Sequence, residues 1–180
     1  MWGLMGPAGA PMGGSGAAEG VSRVFVGRQI RQLDDKGRLA IPAEYLELLR
    51  EGDREALYVT PAAPGCLWLV PPSYYETDFV RSIAASFGGG VPDQFFHACQ
   101  RRTLDKAGRI LIDQDARDLA GLPAPDVPEK VTVVVCGSGR YLQLWHKPDY
   151  DARAIAPHQI AQKMPSTGNA FGPAGPGARP

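Results

Sequence analysis

The chain has 180 residues, 44% of them apolar, with 19 basic and 19 acidic side chains and a formal net charge of zero. That length suits one domain or two small ones, and the apolar content describes an ordinary soluble globular protein. No apolar run approaches the roughly 20 residues of a membrane helix, the N-terminus lacks the basic start of a secretory signal, and the neutral balance supplies no bulk attraction to nucleic acid.

Residues 1–20 are mostly Gly, Ala, Met and Pro and can bury little, so they read as a disordered tail. Residues 21–33 open with Val24, Phe25 and Val26 and run as a strand into residues 33–42, LDDKGRLAIP. This decapeptide reads as a strand end, a tight turn and a new strand. Asp34 can bond its own backbone to start the turn, and Gly37 can take a positive φ at no steric cost. Leu39 and Ile41 then alternate inward, and Arg38 projects from a stiff hairpin close to its turn. Residues 43–50 follow Pro42, which suits the first helical position, and set Tyr45, Leu48 and Leu49 on one face. Gly52 can end that helix. Strands are expected at 56–60 and 66–70, with a turn at 61–65 between them. Ser73 and Glu76 have the spacing of a capping box, behind which Tyr75, Phe79, Ile83 and Phe87 keep helical spacing. The three glycines at 88–90 stop this helix. Pro92 opens another, with Phe95, Phe96 and Cys99 as its apolar stripe. These aromatics read as core or subunit interface.

Residues 104–113, LDKAGRILID, then repeat the decapeptide 71 residues on. Asp105, Gly108 and Arg109 recur in place, and Ile110 and Ile112 alternate as Leu39 and Ile41 do. A helix at 114–120 follows with Asp113 as N-cap and Gly121 as its stop. Strands follow at 130–135 and 141–145. Both copies close on Pro-x-Tyr, at Pro72 and at Pro148. Each repeat covers about fifty residues, near the lower limit for burying its own core, so the halves should share one. After Tyr150 a short helix through Ile155 and Ile160 is conceivable, and residues 154–180 read as a largely disordered C-terminal tail. Cys66, Cys99 and Cys136 are odd in number and sit in apolar segments, which reads as buried thiols in a reducing cytoplasm.

Charge is uneven along the chain. Arg23, Arg28, Arg31, Lys36 and Arg38 crowd the first turn, and Arg101, Arg102, Lys106 and Arg109 the second, while acids collect at 44–55 and 113–129. Catalytic chemistry has no constellation here. His97, His146 and His158 lack metal-ligand spacing. No nucleophile elbow, phosphate loop or dinucleotide fingerprint occurs. Asp34 and Asp35 read as a turn initiator with its neighbour rather than an acid pair. The chain therefore reads as no enzyme, with no catalytic residue, cofactor, metal or small-molecule substrate.

These residues resemble a known family. Val24 to Gly27, then Leu33, Asp34, Lys36, Gly37, Arg38, Leu39, Ile41 and Pro42, look like the first repeat of MraZ proteins. Leu104, Asp105, Gly108, Arg109, Ile110, Leu111 and Ile112, the following Leu119 to Leu122, and a last strand ending Leu144 and Trp145 look like the second. The resemblance covers about residues 23–150. It implies an α+β, mainly β fold: two SpoVT/AbrB-type swapped-hairpin repeats forming one pseudo-dimeric β-barrel, with two linking helices. The corresponding division is a tail at 1–20, a first repeat at 21–75, linking helices at 76–102, a second repeat at 103–153 and a tail at 154–180. The resemblance also implies a ring-shaped homo-oligomer and a cytoplasmic, nucleoid-associated transcriptional regulator, often a repressor, of the division and cell-wall gene cluster. It would bind double-stranded promoter repeats. The DNA-contacting set would be Arg38, Lys36, Arg31, Arg28, Arg109, Lys106 and Arg102, held by the turn-forming Asp34, Gly37, Asp105 and Gly108. In the family the first helix usually carries Arg after the Pro; this chain has Glu44 and Leu46 there. Two rivals stand beside this reading: a ring-forming protein scaffold without DNA recognition, and an antitoxin-like regulator.

Overall fold

The computed structural model describes residues 24–62, 64–124 and 130–153. The tails therefore lie outside the described residues, as does a helix through Ile155 and Ile160. The first repeat contributes β1 (Arg28–Gln32), β2 (Arg38–Ala40), α1 (Ala43–Leu48), β3 (Ala56–Pro61) and β4 (Cys66–Val70). A helical linker follows: α2 (Pro72–Tyr74), a π-helical turn (Tyr75–Phe79), α3 (Val80–Ser86) and, beyond the glycines, α4 (Asp93–Ala98). The second repeat mirrors the first with β5 (Gln100–Thr103), β6 (Arg109–Leu111), α5 (Gln114–Ala120), β7 (Thr132–Ser138) and β8 (Tyr141–His146), and ends in α6 (Lys147–Arg153).

The fold is α+β, with most strands in one antiparallel sheet of order β1-β7-β8-β4-β3-β5, and with β2 and β6 paired apart from it. Exchanging the repeats maps this order onto itself. The first strand of each repeat pairs with the third strand of the other: Arg28 lies opposite Cys136, and Arg102 opposite Leu57. β4 and β8 meet at the centre, with Trp68 opposite Gln143. These ladders weld the two repeats into one apolar cluster that takes Leu39, Leu57, Leu67 and Leu69 from one and Ile110, Val133, Val135 and Leu144 from the other. The shared core follows from size, since neither half could bury enough surface alone.

The described strands do not close into a barrel. The large sheet ends on β1 and β5, and among the described residues the small ladder is joined to it by no continuous ladder, only by the isolated bridges of Leu33 with Leu39 and Leu104 with Ile110. The reason is local. Past each turn the flanking strands part after one bridge, because β1 is taken by β7 and β2 by β6. The expected stiff hairpins are thus a pair of turns whose strands find partners in the other repeat.

Several shorter expectations also change. β1 starts at Arg28 rather than running from Val24, because Gly27 takes φ 81° and Phe25 forms only an isolated bridge to Gly139. There the chain crosses β7 so closely that a Cβ on Gly137 would lie 2.3 Å from the Val26 nitrogen. Pro42 is the N-cap of α1 rather than its first residue, and α1 ends in the extended Leu49, before Gly52, which lies in a 3-10 turn. Ser73 caps nothing. Its hydroxyl donates to the buried Asp53 at 2.6 Å, whose other oxygen accepts the Ser73 N–H at 2.8 Å. In the second repeat Asp113 does cap α5, accepting from the Ala116 N–H at 3.0 Å, and Gly121 ends it at φ 60°. Of the linker aromatics, Phe79 is buried against Trp68, whereas Phe87 and Phe96 are exposed. Cys66 is buried; Cys99 and Cys136 are half-buried, and burial pushes both thiols up.

Candidate functional site

The two turns share one construction. In the first, the Asp34 N–H donates to the Arg38 carbonyl at 2.9 Å, and the Gly37 N–H to the Asp34 carbonyl at 2.8 Å. One carboxylate oxygen of Asp34 accepts the N–H groups of Lys36 and Arg38 at 3.0 and 2.8 Å. Gly37 takes φ 74°. In the second, Asp105 accepts from Ala107 and Arg109 at 2.9 and 3.0 Å, and Gly108 takes φ 69°. An acceptor two and four residues ahead and a positive φ are what Asp and Gly supply at least cost.

The β2–β6 ladder then sets the turns side by side. Leu39 lies opposite Ile110, and each turn is tied to the strand of the other: the Ile41 N–H donates to the Gly108 carbonyl and the Ile112 N–H to the Gly37 carbonyl, both at 3.0 Å. Strand alternation gives this ladder two unlike faces. Leu39 and Ile110 point into the core and are fully buried, while Arg38, Ala40, Arg109 and Leu111 form the other face, with Ala40 and Leu111 exposed.

Each arginine is folded onto the aspartate of its own turn. Arg38 Nε donates to Asp34 Oδ2 at 2.7 Å and Nη2 lies 2.7 Å from the same oxygen; Arg109 Nε donates to Asp105 Oδ2 at 2.8 Å. The pairs also reach across, with Arg38 Nη1 at 3.9 Å from Asp105 and Arg109 Nη1 at 4.0 Å from Asp34. Burial works to raise the Asp34 carboxyl, but the Arg38 guanidinium and the two backbone N–H groups outweigh it and hold the group below the usual carboxylate range. Asp105 is held low first by the Arg109 N–H, then by the guanidinium and the Ala107 N–H against the effect of burial. Both pairs are about one-third exposed, so they add little to stability. Their effect is orientation. A guanidinium has five donors in a rigid fork, and the aspartates of the two turns hold each fork flat across the ladder, Nε on its own turn and Nη1 towards the other.

The other predicted residues are scattered in role. Lys36 and Lys106 are exposed beside the turns. Arg31, half-buried in β1, donates to the Ile30 carbonyl at 3.0 Å. Arg28 lies at the far end of β1, bonded to the Tyr150 hydroxyl at 3.1 Å and stacked on its ring. Arg102 is held by Gln100 and by Asp113, the cap of α5. The ladder therefore brings together Arg38, Arg109, Lys36 and Lys106; it leaves Arg28 elsewhere, on the α6 side of the sheet.

One residue that sequence reasoning missed lies beneath the first turn. Arg117 of α5 is 7% exposed, and a Cβ on Gly37 would lie 2.2 Å from its Nη1. Leu46 of α1 holds the matching place beneath the second turn, where a Cβ on Gly108 would lie 2.5 Å from its Cδ1. The available signal was the alignment of the repeats, which sets a cation at 117 against a leucine at 46.

Among the described residues no group of His, Cys, Asp and Glu could hold a metal ion, and no helix is long and apolar enough to cross a membrane. No family model matches the chain. Curated relatives do. The proteins named transcriptional regulator MraZ from Burkholderia cenocepacia, Burkholderia lata and Burkholderia multivorans are each 34% identical to it over 152 residues, which is 79% of this chain and 94% of theirs.

Proposed function

The chain belongs to the MraZ family of transcriptional regulators, and from that premise we propose that it acts by binding double-stranded promoter DNA through its paired Asp-x-x-Gly-Arg turns. The observation that carries this reading is the β2–β6 ladder, which sets Arg38 and Arg109 on one face, each pre-oriented by its own aspartate. A two-stranded ribbon fits the major groove, and a held guanidinium suits guanine O6 and N7, a contact that discriminates by about 5- to 150-fold. Leu111 and Ala40, exposed opposite Arg38 and Arg109, suit a thymine methyl. Lys36 and Lys106 are compact charges better suited to phosphate. In this reading each chain is a pair of swapped-hairpin units, and the chains form a ring that presents many turns to repeated boxes. Such linkage multiplies affinity by about 10²–10⁴. The regulator acts in the cytoplasm at the nucleoid, as a repressor of the division and cell-wall gene cluster.

The test is a gel shift on DNA from upstream of the protein's own gene, at two salt concentrations. Arg38→Ala should abolish specific binding while the oligomer stays intact. Lys36→Ala should weaken specific and non-specific DNA alike and lower the salt slope by about 0.9 for each subunit that loses a phosphate contact. Arg109→Ala should lose less, because Ala107 stands where the first turn has Lys36. Unchanged affinity in Arg38→Ala removes the contact assignment. A second reading, a ring-forming protein scaffold, is favoured by the neutral net charge and by the pairing of both arginines with aspartates; absence of any DNA shift from an intact ring would select it.

A further inference from the structure

Among the described residues Arg117 alone is a buried basic side chain. Its Nη1 donates to the Ile112 carbonyl at 3.3 Å and its Nη2 to Gln114 at 2.6 Å, while its buried Nε has no partner. It forms no ion pair among the described residues. An unpaired buried charge is costly, and a guanidinium does not escape by losing its proton. Packing does not demand one here, because Leu46 fills the twin place beneath Gly108. A leucine would suit the shared core at no such cost.

What distinguishes the two places is the charge above them. The first turn displays Asp34, Asp35, Lys36 and Arg38, two acids against two bases. The second displays Asp105, Lys106 and Arg109, one acid against two bases. The surface of the first turn is therefore neutral and that of the second is positive. Arg117 lies under the neutral one, in contact with Gly37, and holds the carbonyl of the residue whose N–H binds the Gly37 carbonyl. A charge in the protein interior is less screened by salt than one in solvent.

We propose that Arg117 is a positioning residue for the first turn, and that its buried charge makes that turn electropositive from beneath so that it holds a phosphate of duplex DNA. This rests on the DNA-binding reading above. Asp35 cancels one base at the surface, Arg117 restores it from the core, and the two turns then present equal net charge.

The test measures binding of the full chain to the same promoter fragment at two salt concentrations, for Arg117→Leu, Arg117→Lys and Leu46→Arg. Arg117→Leu should bind about tenfold more weakly, the effect of one unit charge at roughly 10 Å in an effective dielectric of about 20. Arg117→Lys should recover most of that loss, and Leu46→Arg should bind more tightly than the parent. A merely structural role would weaken Leu and Lys variants alike and would gain nothing from Leu46→Arg. Binding by folded Arg117→Leu within twofold of the parent overturns the proposal. If Arg117→Leu does not fold, Leu46→Arg decides: tighter binding supports the proposal, and unchanged binding or failure to fold overturns it. Arg38→Ala separates the two levels. If it binds as the parent does, the DNA-contact reading itself falls; if it loses binding while Arg117→Leu keeps it, only the role of Arg117 falls.

Discussion

The two turns are nearly the same object built twice. Their backbones, their aspartate acceptors, their positive-φ glycines and their inward Leu39 and Ile110 agree in detail. They differ where no turn chemistry constrains them: Asp35 and Lys36 stand against Lys106 and Ala107 on top, and Arg117 against Leu46 below. A duplicated chain keeps what makes the loop fold and lets the flanking positions drift apart. A dimer of identical subunits must read two equal half-sites. Two turns in one chain carry no such obligation, so a site with unequal halves is accessible to this protein.

The largest effect expected is the one that should not distinguish the halves. Leu39→Ala and Ile110→Ala each remove a fully buried side chain from the shared core and should each cost about 2–5 kcal/mol. Thermal melts differing by more than about 4 °C between them, roughly 1–2 kcal/mol at this size, would break the equivalence of the two inner faces. Gly37→Val and Gly108→Val come next, since a β-branched residue at positive φ costs about 1–3 kcal/mol. Here the halves should part. At Gly37 the new side chain meets a buried guanidinium and the Ile112 carbonyl at 3.1 Å, whereas at Gly108 it meets the end of a partly exposed leucine. Equal melting temperatures for the two variants would contradict that difference.

Acid should then reveal the aspartates. Both carboxyls are held below their ordinary value in the folded chain. Groups depressed by folding contribute stability above the unfolded pKa, near pH 4, and lose it as pH falls through the folded value. Asp34→Asn and Asp105→Asn should therefore flatten the loss of stability below about pH 4, as read by unfolding midpoints across pH. A variant as acid-sensitive as the parent would remove its aspartate from the account. The smallest effect on the fold belongs to Arg38→Ala and Arg109→Ala, whose side chains cap no core; their melts should nearly match the parent. A large drop in either would make that arginine a brace of the ladder rather than a contact.

What could be read from the sequence was local. Asp34, Gly37 and their counterparts form a motif within five residues, Asp113 and Gly121 mark the ends of α5, and Leu39 with Ile41 alternates within a few positions. What could not be read depends on partners far along the chain. The β1 pattern by itself does not say that Arg28 lies opposite Cys136, about a hundred residues on. Ser73 had the right spacing for a cap, but Asp53, twenty residues back, takes its hydroxyl. Gly52 could have ended α1, yet the chain turned extended at Leu49 first. Arg117 looks like the polar side of a surface helix until the first turn, some eighty residues earlier, is laid over it.

The pairing of β1 with β7 also orders events in time. Arg28 pairs with Cys136, so the first strand made is matched by nearly the last one. At a synthesis rate of about 5–20 residues per second, roughly a hundred residues separate these partners by on the order of ten seconds. During that interval Leu39 and Leu57 are without Ile110 and Val133, and the edge of the first repeat is open. Pairing at such sequence separation makes folding slow and the half-made chain aggregation-prone. This regulator cannot be assembled one repeat at a time as it leaves the ribosome; it becomes competent only when its second half arrives.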